Sequence, residues 1–126
     1  MSIRKAWYKK GKQLLDEIKE TKVSEDELAI WYLGQCGFVV KQQKIIYIDP
    51  VLNDMRDENG YSRRFYEPPF EPEMAEADYV FCTHGHDDHM ARETVLALII
   101  FGIREISLEI CRQGRLRLWR RNCLLI

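Results

Sequence analysis

Histidine is scarce in this chain: of 126 residues only three are histidine, and all lie between positions 84 and 89. A site drawing imidazoles from several parts of this sequence is thereby excluded. The four cysteines, Cys36, Cys82, Cys111 and Cys123, form no Cys-x-x-Cys pair, which excludes a zinc knuckle or a dithiol-exchange motif and leaves reduced thiols as the reading. No apolar run approaches the roughly 20 residues that span a bilayer; the longest is Val95 to Phe101. Around Trp7 and Tyr8 stand Arg4, Lys5, Lys9 and Lys10, with no apolar core and no small-residue cleavage site, so no secretory leader is read. A cytoplasmic protein with no membrane partner is expected. The formal net charge of -1 supplies no field to attract nucleic acid, and a small molecule is the expected partner. The length bounds one small domain or part of one.

Trp7, Leu14, Leu15 and Ile18 recur at helical spacing among charged residues, predicting an amphipathic helix. Ser24 and Glu27 have the spacing of a capping box, but the apolar residues after them, Leu28 and Ile30 to Leu33, read as a strand, so no helix is expected there. Phe38 to Val40 and Ile45 to Ile48, separated by Lys41-Gln42-Gln43-Lys44, predict a hairpin. Gly34 and Gly37 flank Cys36 where a bulge or a close backbone approach is expected, in preference to a ligand-binding role. Residues 53–72 read as a long ordered loop, with Pro68, Pro69 and Pro72 excluding a regular helix or central strand. Tyr79 to Cys82 predicts a short buried strand, and Ala91 to Leu98 a helix.

Composition changes at residue 99. Residues 1–98 carry eight lysines and five arginines, residues 99–126 none and six, and aspartate vanishes after Asp88. A basic nucleic-acid-binding tail is one reading of residues 99–126. An atypical, Arg-rich stretch translated from a shifted reading frame is the preferred one, and no nucleic-acid partner is expected.

The chemistry gathers in Thr83-His84-Gly85-His86-Asp87-Asp88-His89. On an extended segment His84 and His86 share a side and can meet one cation. Asp88 and His89 project differently and suit a second cation, so two metals about 3.5 to 4 Å apart can share a water whose pKa falls to about 7. Hydrolysis is the chemistry that such a centre serves. The structural alternative is a polar turn with Asp87 or Asp88 capping the next helix.

His84, His86, Asp88 and His89 together resemble the signature of the metallo-β-lactamase superfamily. Trp31 to Gly37 and Ile48-Asp49-Pro50 are similar to the first hairpin of the branch that contains L-ascorbate-6-phosphate lactonases. The resemblance covers about residues 10–98. It implies an α+β chain forming the N-terminal half of a four-layer αβ/βα sandwich, two divalent metal sites holding Mn2+ or Zn2+, and opening of a phosphorylated sugar lactone by metal-bound hydroxide. His84, His86, Asp88 and His89 would be ligands, with Asp88 also the catalytic residue steering the water. Asp49 is expected either to orient a ligand imidazole or simply to end a strand. Arg63 and Arg64 read as solvated loop charges or as a fork for the substrate's phosphate.

The family pattern continues with a further histidine, an aspartate and a final histidine that complete both metals, and residues 90–126 contain neither residue type. The expectation is therefore a truncated, inactive form whose open sheet favours aggregation or local disorder, with a homo-oligomer as a further expected partner state. A phosphodiesterase or other esterase of the same fold, and a non-catalytic binding fragment, are the alternatives.

Overall fold

A computed structural model describes residues 7–57, 60–62, 64–83 and 85–101. Helix α1 (Gly11–Glu20) follows Lys10, and its first residue, Gly11, adopts φ 57°, a left-handed conformation that L side chains resist. The Gly11 N–H is held by the Pro69 carbonyl at 2.7 Å. Leu14 and Ile18, one turn apart, face inward, as their spacing predicts. The helix ends at Thr21, whose N–H and hydroxyl both donate to the Glu17 carbonyl. Lys41 Nζ donates to the Ile18 and Lys19 carbonyls at 2.7 and 2.8 Å, placing a cation at the negative end of the helix.

No helix forms at Ser24 to Glu27. A turn does, with the Ser24 N–H donating to the Glu27 carboxylate, so half of the capping-box bonding exists without a helix. Strands β1 (Ala29–Gly34), β2 (Gly37–Lys41) and β3 (Ile45–Ile48) form antiparallel hairpins as expected. Residues 53–72 depart from a plain loop: β4 (Met55–Asp57) pairs with β5 (Gly60–Ser62), and Pro72 opens a single 3-10 turn, the helical position where a missing N–H costs least. Strand β6 (Tyr79–Phe81) then returns parallel to β3, giving a mixed four-stranded sheet in the order β1-β2-β3-β6.

Register decides what each face carries. Trp31, Val39, Tyr47 and Val80 are successive cross-strand partners on one face, and α1 covers it through Leu14 and Ile18. Helix α2 (Arg92–Phe101) joins the same core through Val95 and Leu98. It runs three residues beyond the predicted end at Leu98, with Ile99 packed on the core and Ile100 and Phe101 outward. The rest of the Arg-rich stretch, 102–126, lies outside the described residues. The opposite sheet face is also apolar: Ile30, Tyr32 and Phe38 stand exposed and Val40, Ile46 and Ile48 half-buried. The class is α+β, as expected; a second large sheet, as in a four-layer sandwich, is not among the described residues.

Candidate metal centre

Strands β3 and β6 run parallel and end side by side, and the cluster sits beyond their carboxyl ends, where open sheets with parallel strands offer a crevice. Asp49 follows β3 at φ 45°, buried to 4% exposure. Its N–H donates to Phe81 O at 2.8 Å, and its carboxylate accepts from Thr83 N at 2.6 Å and Thr83 Oγ1 at 2.7 Å. A non-glycine residue at this φ is strained unless its surroundings over-determine it, and these bonds do so. The same carboxylate lies 2.8 Å from His89 Nδ1. Asp49 thus fixes both the start of the histidine loop and the ring of its last histidine.

The loop is not an extended strand at its midpoint. β6 stops at Phe81, and the His86 carbonyl accepts from the His89 and Met90 N–H groups at 2.9 and 2.7 Å, winding a turn into α2. His86 is exposed in a bend, so the extended segment expected for His84 and His86 does not continue through it. His84 lies outside the described residues. Asp88 and His89 do come together: Asp88 Oδ2 is 3.6 Å from His89 Nε2. Cys36 Sγ joins them, the three ligand atoms all lying within 4.8 Å of one another.

Cys36 reaches this point from the β1–β2 turn, which is docked tightly. Gln35 takes φ 52° and Gly34 φ 86°, and a Cβ on Gly37 would meet the Asp49 carbonyl at 3.1 Å. The close approach expected at these glycines is present. Burial, followed by the charges of Asp88 and Asp49, pushes the Cys36 thiol up from its ordinary range.

One carboxylate, one imidazole whose second nitrogen faces a buried carboxylate, and one thiol form a donor set suited to a divalent cation. No protein-family model matches the chain. It is 30% identical over 70 residues to a UPF0173 metal-dependent hydrolase of Archaeoglobus fulgidus, an overlap of 56% of this chain and 26% of that protein. The chain thus spans about a quarter of that relative's length. Among solved structures, a mutant of the CmlA beta-hydroxylase is similar at TM-score 0.42 and 24% identity, over 66% of this chain and 16% of that one.

Two expectations change. Arg64 is not a solvated loop charge: it is 3% exposed, donating from Nη2 to Leu33 O at 2.6 Å and from Nη1 to Val51 O at 2.7 Å. A fork committed to those carbonyls ties the end of β1 to the chain after β3, a different task from gripping a phosphate. Arg63 lies outside the described residues. Cys36 is not legible from cysteine spacing, because its partners are some fifty residues away. Its place between two glycines beside a strand end was the available signal.

Proposed function

We propose that these residues belong to a metal-dependent hydrolase of the metallo-β-lactamase fold. The observation that carries the reading is the convergence of Asp88 and His89 beside Asp49 at the carboxyl ends of a parallel strand pair. The likeness to a metal-dependent hydrolase over 70 residues supports it. So does the sheet: apolar side chains on both faces are expected where layers pack on both sides, as in a sandwich.

In this reading His89 binds through Nε2, because its Nδ1–H donates to Asp49, which fixes ring orientation and tautomer. His84 and His86 serve a neighbouring site. A divalent cation, when bound, supplies a Lewis acid for a carbonyl or phosphoryl oxygen and activates water at neutral pH. Asp88, with 46% of its side chain exposed, would take a proton from an approaching water or bind the cation. The substrate class we assign is a lactone of a phosphorylated sugar, on the resemblance of Trp31 to Gly37 and Ile48-Asp49-Pro50 to lactonases. With Arg64 turned inward, the phosphate needs another cation than this one.

The test is metal loading of the chain with Zn2+ and Mn2+, followed by assay against sugar lactones and phosphodiesters. Binding that falls with His89→Ala is the expected result, and any lactone opening should stop on chelation. An unaltered metal stoichiometry in His89→Ala would sink the site, and chelation-insensitive turnover would sink the mechanism. Preference for phosphodiesters would replace the substrate while keeping the metals.

A further inference from the structure

Resting on that reading of residues 84–89 as a metal site, we infer that Cys36 is a third ligand, completing a Cys36/Asp88/His89 face that selects zinc over manganese. Asp88 and His89 alone give a cation two protein ligands, whereas a hydrolytic zinc ordinarily has three plus an open position. Metal–ligand bonds of about 2.0 to 2.3 Å in a tetrahedron set ligand atoms roughly 3.5 Å apart. The 3.6 Å between Asp88 Oδ2 and His89 Nε2 already meets that spacing. Cys36 Sγ, within 4.8 Å of a ligand atom of each residue, closes the triangle with a shift of about 1 Å.

The turn that carries Cys36 has little freedom to place it elsewhere. Gly37 packs against the Asp49 carbonyl, so the turn is seated on the residue that orients His89. Tyr32 Oη donates to the Gln35 carbonyl at 2.9 Å, holding the turn from its other side. Charge also balances: a thiolate and a carboxylate neutralise a dication, and the thiol proton leaves to solvent on binding. A sulfur donor favours zinc or cobalt, whereas manganese prefers oxygen donors.

Cobalt substitution of the 126-residue chain separates this inference from the reading beneath it. Wild-type protein titrated with Co2+ is expected to show visible ligand-field bands together with a near-ultraviolet sulfur-to-cobalt charge-transfer band. Cys36→Ser should lose the charge-transfer band and keep ligand-field absorption, and Cys82→Ala should keep both. Cobalt binding without charge transfer in the wild type, or a band that survives Cys36→Ser, overturns the cysteine ligand and leaves the metal site standing. No cobalt binding overturns both. Alkylation of the unmutated chain gives an answer independent of variant folding. Zn2+ should slow iodoacetamide labelling of Cys36 by roughly tenfold or more, since a metal-held thiolate is withheld from the electrophile. His89→Ala should abolish the protection. Equal labelling rates with and without bound zinc would refute the ligand.

Discussion

Replacing Asp49 by asparagine isolates what its charge does for His89. The carboxylate accepts from three donors, Thr83 N, Thr83 Oγ1 and His89 Nδ1, at 2.6, 2.7 and 2.8 Å. An amide of the same shape has one accepting oxygen. If that oxygen stays with Thr83 N, the NH2 faces His89 Nδ1, which must then accept, and the ring proton moves to Nε2, the nitrogen needed by a cation. Loss of such an orienting partner costs about 10- to 100-fold in metal affinity, or about 1.4 to 2.7 kcal/mol. Asparagine tolerates left-handed φ, so the fold should survive. Asp49→Ala differs: it places a Cβ-bearing residue without a side-chain acceptor at φ 45°. That combines about 1 to 2 kcal/mol of backbone strain with about 1.5 to 3 kcal/mol from the lost charged acceptor. Competition for Zn2+ against a chromophoric chelator, paired with urea unfolding of metal-free protein, reads both quantities. Zinc affinity of Asp49→Asn within twofold of wild type would refute the tautomer argument, and equal stability of the two variants would refute the strain argument.

Three further outcomes are expected. Gly34→Ala should destabilise by about 3 kcal/mol or more in urea unfolding, because its Cβ would lie 2.2 Å from Arg64 Nη2 at φ 86° and displace a buried guanidinium; a loss under about 1 kcal/mol would mean that Arg64 yields freely. Cys82, fully buried, has its thiol pushed from the ordinary 9 up to about 12 by burial. The neutral form is the one that the fold favours, so stability is fully present below pH 9 and falls by about 1.4 kcal/mol per pH unit as pH rises toward 12. Cys82→Ala should flatten that decline in pH-dependent denaturation, and an unchanged slope would assign it elsewhere. Ile30→Lys, on the open sheet face at 61% exposure, should change stability by no more than about 0.5 kcal/mol; a larger loss would show that another layer or a second copy covers this face in solution.

The strands and α1 were legible because their signals are local. Leu14 and Ile18 repeat at one helical turn, and the polar interval at Lys41 to Lys44 separates two β-rich runs without ambiguity. The hairpin β4–β5 was not legible, since residues 53–72 hold charge and proline but no alternating run long enough to distinguish short strands from an ordered loop. At the site, Asp88 and His89 lie together, whereas spacing alone does not reveal that the segment turns at His86, whose carbonyl closes on Met90. Arg64 shows the deeper limit. Loop composition makes an arginine look solvated, and only the three-dimensional return of its segment past Gly34 reveals a buried fork between two strand ends. The same return carries Cys36 to its place. Gly34 has no side chain, so Arg64 can fill the space beneath the β1–β2 turn; Gly37 has none either, so the turn can settle on Asp49. Two glycines chosen for what they omit thereby bring a thiol to the carboxylate and imidazole of a second segment.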